Sequence, residues 1–223
     1  MTPAPRALVI ACGALAHEVT ALKRANGWSA LDVTCLPPEL HNYPERIPGE
    51  VSAAIKAARG TYDEVFVAYA DCGTGGMLDK VLVSEGVERL PGAHCYEFFA
   101  TPSVFAALAD AEPGTFYLTD FLVRHFERLV VGTLGLDRHP ELAGEYFRNY
   151  RRVVYLTQVP DEGLKTDAET IARRLGLEFE ARLTGYGELE TSLRDFARRT
   201  GTTVVVEAAR DAGSDKERGE WVS

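Results

Sequence analysis
The stretch Val65-Phe66-Val67-Ala68-Tyr69-Ala70-Asp71-Cys72-Gly73-Thr74-Gly75-Gly76 decides the fold. Its first half is a short apolar run that breaks into glycine, the pattern of a strand buried on both faces. Ala7-Leu8-Val9-Ile10-Ala11-Cys12-Gly13 has the same form. Each unit sets a thiol at the carboxyl end of a strand, which is where open α/β sheets bind ligands. A third unit, Pro91-Gly92-Ala93-His94-Cys95-Tyr96-Glu97, adds a thiol and an imidazole. The three segments are expected to meet in one site.

Outward from these units, strands alternate with helices. A helix is expected over about 14–26, a strand over 31–36 stopped by Pro37-Pro38, and a proline-rich loop to Pro48 carrying His41. A helix over 49–59 leads into the strand at 64–70, and Met77–Ser84 reads as a helical turn. His94–Phe99 reads as a short strand or loop. A helix then opens at Thr101-Pro102, a strand spans Thr115–Leu118, and Thr119 or Asp120 caps the next helix. Further on, Val153–Leu156 reads as a buried strand and Thr166-x-x-Glu169 as a capping box. Leu177–Leu183 and Thr202–Val206 read as strands around a helix bearing Leu189, Leu193, Phe196 and Ala197. This alternation predicts an α/β fold, a mostly parallel sheet with helices on both faces. The expectation is one domain over 1–208 and a polar tail over 209–223. The alternative is two Rossmann-like lobes, the second starting near residue 150, because 153–206 is a self-contained β-α-β-α-β block.

The chain has 223 residues, 24 basic against 33 acidic, and a formal charge of −9. It carries no basic stripe for a phosphate backbone, which argues against nucleic acid as a partner. It has no apolar run of about 18 residues and no signal-peptide pattern, so neither membrane nor export is expected and the location is read as cytoplasmic. In a reducing compartment, Cys12, Cys35, Cys72 and Cys95 are metal ligands, catalytic thiols or core residues rather than disulfides.

Thiolates are soft ligands, and Cys12, Cys72 and Cys95 with His94 would complete a tetrahedral zinc site. The bland alternative is that each is a small buried hydrophobe, and Cys35, mid-strand, is assigned to it. His41, in its loop, is a fourth-ligand or catalytic candidate. Glu97 is a candidate base, or an acceptor that orients a ligating imidazole. A Cys–His pair using His41 or His94 as base would give metal-free thiol chemistry. Gly73, Thr74, Gly75 and Gly76 form either an anion cradle or a tight turn. His125 reads as packed, His139 as a helix cap and His17 as exposed.

Several segments together resemble the family known as domain of unknown function 1638. They are Ala11-Cys12-Gly13-Ala14-Leu15, Leu40-His41-Asn42 with Pro44, Asp71 to Gly76, His94-Cys95-Tyr96-Glu97-Phe98, Pro113 to Phe121, and Gly135 to Leu142. The resemblance covers about residues 7–190. It implies no established activity. Members are often encoded near corrinoid-dependent methyltransferases, corrinoid-binding proteins and their activators, which implies one-carbon metabolism. The family pattern keeps Cys12, Cys72 and Cys95 with His41 and His94. Three readings follow. The first is a zinc-thiolate protein that catalyses or assists a corrinoid-linked methyl transfer on a small-molecule substrate, with a corrinoid protein or methyltransferase as partner. The second is a non-catalytic module for an anionic or tetrapyrrole-like ligand. The third is a metal-free cysteine enzyme.

Overall fold
The structure, a computed structural model, describes residues 5–202. The chain begins with β1 (Ala7–Cys12), a tight 3-10 turn at Gly13–Leu15, α1 (Ala16–Ala25) and β2 (Leu31–Leu36). Two further 3-10 turns, Pro38–Asn42 and Pro44–Arg46, form the proline-rich loop before α2 (Ile47–Ala58) and β3 (Glu64–Ala68). Then come α3 (Met77–Glu85), β4 (Glu88–Arg89), α4 (Cys95–Ala100), α5 (Pro102–Ala111), β5 (Thr115–Thr119) and α6 (Asp120–Arg124). A π-helical turn at Glu127–Gly132 precedes α7 (Ala143–Phe147), β6 (Arg152–Thr157), α8 (Glu162–Leu175), β7 (Glu178–Leu183) and α9 (Gly187–Arg199).

Among the described residues the strands form two all-parallel sheets, ordered β2-β1-β3-β4 and β5-β6-β7. The fold is α/β, as the alternation predicts. The second sheet starts at β5, upstream of residue 150, near which a second lobe is the alternative expectation. The central strand β1 is buried at every position, which is why its sequence is uniformly apolar rather than alternating. β6 shows how both faces of the second sheet are covered. Val153 and Tyr155 pack with Leu118, Ala168 and Ile171, while Val154 and Leu156 pack on Ala100 and Leu108. α9 returns to the first core, placing Leu189, Leu193, Phe196 and Ala197 with β1 and β3 residues.

Three local expectations are corrected. His94–Phe99 holds a helix, α4, not a strand: His94 is extended and Cys95 starts the helical turn. Thr166 does not cap α8. The helix begins one turn earlier, where Asp161 accepts the Leu164 N–H at 3.0 Å, and Thr166 Oγ1 donates back to the Glu162 carbonyl. Both residues suit an N-cap, and the earlier one wins because β6 ends at Thr157, leaving a short connection. Cys35 is exposed on the edge strand β2, not buried in the core. The strand expected at Thr202–Val206 and the tail over 209–223 fall beyond Thr202, outside the described residues.

The α4–α9 contact is set by the absence of a side chain. A Cβ on Gly187 would lie 2.5 Å from the Phe99 carbonyl oxygen and closer still to that of Phe98, and φ is +51°. Gly187→Ala is expected to destabilise the protein by about 2–4 kcal/mol through overpacking and left-handed strain. Gly49, inside α2 with open space around it, is the contrast. Gly49→Ala is expected to stabilise by about 0.5–1 kcal/mol. Denaturant unfolding of the two variants, read as midpoints with unchanged slopes, checks both signs.

Candidate functional site
Parallel pairing brings the thiol segments to one edge. Cys12 lies opposite Leu36, and Ala11 opposite Ala68, so the chain leaving β1, β2 and β3 emerges side by side. Cys12 then caps the Gly13–Leu15 turn, its Sγ accepting the Ala14 N–H at 3.3 Å. Gly13 permits the next contact: a Cβ there would stand 2.7 Å from Pro38 Cδ and 2.8 Å from the Leu36 carbonyl oxygen. The proline turn therefore sits tight on β1, and His41 Nδ1 reaches 3.8 Å from Cys12 Sγ and 3.1 Å from the Pro38 carbonyl. The imidazole also stacks on the Tyr69 ring, the planes 11° apart.

Cys72 stands in the turn after β3 in a left-handed conformation, φ +51°, which is strained for a residue with a side chain. Its N–H donates to the Ala93 carbonyl and that of Asp71 to the Gly92 carbonyl, tying the glycine turn to the segment that carries His94 and Cys95. Arg89 fixes that segment from behind, donating to the Gly92 and Leu90 carbonyls while its other nitrogens bind both oxygens of Asp79.

The three sulfurs feel one another. Burial pushes the Cys12 thiol up to about 12, against the Ala14 N–H, and Cys72 adds to the rise. Burial likewise takes Cys72 up to about 11, with the Ala70 backbone opposing and the Asp71 charge reinforcing it. Cys95 is raised by burial first, then by Cys72 and Cys12. His41 is an exposed residue whose imidazole lies over the Tyr69 ring; desolvation lowers its pKa against the Pro38 contact, and His94 lowers it further. The resting site is therefore neutral thiols beside a neutral imidazole. Among the described residues, no three His, Cys, Asp or Glu side chains stand together in a geometry that would hold a metal ion.

The remaining candidates divide. His94 is exposed near the site, its ring 6.5 Å from that of Tyr96 and electrostatically coupled to His41. Glu97 is engaged locally: its Oε2 accepts the Ala93 N–H at 2.7 Å and packs against Gly92. In the glycine turn, the donors offered to an anion are occupied by Asp71. Its carboxylate accepts Thr74 Oγ1 at 2.6 Å, Gly75 N at 3.0 Å and Gly76 N at 2.9 Å. Burial works against that charge, but the Thr74 hydroxyl and the two amides outweigh it and keep the carboxyl below its usual range. Cys35 and His17 are exposed, and His125 packs on Phe121 at 4.6 Å between ring centres.

Sequence reasoning missed Tyr69. The residue is fully buried, its hydroxyl has no hydrogen-bond partner among the described residues, and it stands beside the Cys12 thiol. The signal was a lone phenol in an otherwise apolar strand three residues before a cysteine. A buried hydroxyl without a partner costs about 1–3 kcal/mol, and the Cys12 sulfur beside it is the polar neighbour able to offset that cost.

A family model described as "Protein of unknown function (DUF1638)" matches residues 35–193. No curated protein and no solved structure gives a match.

The thiol environments set an order of reactivity. Cys35 is expected to be alkylated first in the native protein at neutral pH, with Cys12 slower by at least about tenfold because it is buried and protonated. Mass mapping after timed iodoacetamide treatment checks this. Gly13→Ala should push the Pro38 turn off β1 and move His41 from the sulfur, which shortens the protection of Cys12.

Proposed function
The chain belongs to the DUF1638 family, and from the way its fold gathers sulfur we propose that it binds a soft metal ion, zinc first, in one-carbon metabolism. In this reading Cys12, Cys72 and Cys95 are the thiolate ligands, His41 or His94 completes the set, and the protein catalyses or assists a corrinoid-linked methyl transfer. The observation that carries it is the convergence of three thiols and an imidazole from four separate segments, with Cys12 Sγ 3.8 Å from His41 Nδ1. The thiols raise one another's pKa and only Cys72 is partly offset by a cation, Arg89, so a divalent ion would supply the positive charge the group favours. Ligation at about 2.3 Å for sulfur requires rotation of these side chains from their resting positions.

With the imidazole as fourth ligand the site would be closed; for catalysis the imidazole would have to give way, and the metal would then supply Lewis acidity to a small-molecule thiol, amine or water at the position it leaves. The corrinoid belongs to a partner, either a corrinoid protein or a methyltransferase. The reading places the protein in the cytoplasm, where reduced thiols persist. The Cys12–His41 contact favours a second reading, a thiol nucleophile with His41 as its base. Against it stands a thiol pushed upward beside an imidazole pushed downward, so neither partner is poised in its charged form.

Elemental analysis of protein purified without added metal is expected to give about one zinc per chain. Cys12→Ser and Cys72→Ser should each lower occupancy at least about tenfold. Metal-free protein with Cys12 rapidly alkylated would replace this reading with the second. Because the ligand thiols are protonated at rest, zinc binding should release protons, and affinity should rise steadily from about pH 6 to pH 8. A competition titration with a chelating dye across that range reads the slope.

A further inference from the structure
β7 is the outer strand of the second sheet, and among the described residues its far edge is open. In a parallel pair, alternate residues turn their N–H and C=O toward the neighbouring strand and the others turn theirs away. Glu178 N donates to the Arg151 carbonyl and Thr184 N to the Thr157 carbonyl, so the even-numbered positions of β7 face β6. Phe179, Ala181 and Leu183 therefore direct their backbone donors and acceptors outward. Such an edge is a template for another strand. β7 carries no proline or lysine and keeps an unbroken register with β6, and it leaves Leu183 63% exposed.

The charges on β7 select its partner. Glu178, Glu180 and Arg182 share one face, and Phe179, Ala181 and Leu183 share the other. When two copies of the strand pair about a two-fold axis normal to the sheet, they run antiparallel and each residue meets one of its own face. Centring the axis on Glu180 sets that carboxylate directly against its copy, and centring it on Arg182 does the same to the guanidinium. Like charges directly opposite are destabilising. Centring on Ala181 avoids both. Glu180 then lies opposite Arg182 of the second copy, twice by symmetry, and exposed Leu183 lies opposite Phe179 of the second copy. The Glu180 carboxylate is already positioned, because Arg152 donates to its Oε2 at 3.0 Å. Arg182, half exposed, bonds Glu180 of its own strand and exchanges that carboxylate for the copy's.

We propose that β7 pairs antiparallel with β7 of a second copy of this chain, centred on Ala181, so that the two three-stranded sheets continue into one. The outward N–H and C=O groups of Phe179, Ala181 and Leu183 become the ladder between the copies. α8 packs on both β6 and β7, so the same axis sets it beside its own copy. The separation is two strand spacings, about 10 Å, a distance at which helices pack. The interface uses none of the thiols, so zinc content tests the metal reading separately.

Sedimentation equilibrium of the full chain at about 50 μM and about 0.15 M salt is expected to give twice the chain mass. A single-chain mass overturns the proposal. Ala181→Pro removes an outward N–H and no bond to β6, so it should give the single-chain mass with an unchanged far-UV spectrum. Arg182→Glu sets carboxylates opposite one another at two places and should weaken the dimer by at least about tenfold, whereas Arg182→Lys keeps the charge and should stay near wild type. If Ala181→Pro loses the wild-type spectrum, the two Arg182 variants decide alone. A dimer that survives a folded Ala181→Pro, or that is indifferent to Arg182→Glu, assembles through another surface, and the proposal fails.

Discussion
The parallel pairing of β1 between β2 and β3 is the constraint on which the site depends. Parallel strands send every chain exit to the same edge, so Cys12, the Pro38–Asn42 turn and the Tyr69–Cys72 segment meet although they are far apart in sequence. The register fixes that edge to one residue: Cys12 opposite Leu36 leaves only Pro37 before the turn that delivers His41. A slip of one position would turn Cys12 to the other face of the sheet. The hydrophobic burial of β1 and the placement of the sulfurs are therefore one fact, not two.

Around that edge, small backbone features do the positioning. Gly13 lets Pro38 approach, Arg89 clamps the 90–92 segment, and amide bonds from Asp71 and Cys72 join two loops into one wall. The Arg128–Glu39 ion pair also links the His41 turn to the π-helical segment, but both partners are about half exposed and such pairs contribute at most about 1 kcal/mol. Buried contacts and glycine clearances, not surface charge, hold His41 against Cys12.

Much of this was legible in the chain. Uniformly apolar runs ending in Cys-Gly gave the buried parallel strands, and the stripe Leu189, Leu193, Phe196, Ala197 gave α9. The segment around Cys95 was misread because Cys-Tyr-Glu-Phe-Phe carries strand-forming aromatics, and tertiary packing of Phe98 and Phe99 overrides that preference. Cys35 shows the limit of composition: an apolar residue type mid-strand gives no sign of whether the strand is central or at an edge. Tyr69 was hidden for another reason: its place beside the Cys12 thiol and its unpaired hydroxyl depend on neighbours from other segments rather than on local pattern.

Asp71 gives the glycine turn a particular character. With its own carboxylate seated among the Thr74 hydroxyl and the Gly75 and Gly76 amides, the loop has already taken up three of its donors. Its conformational entropy is surrendered when the chain folds, not when a guest arrives. The wall that presents Cys72 is in this sense a finished mould, and adaptation to whatever enters falls to side-chain rotation alone.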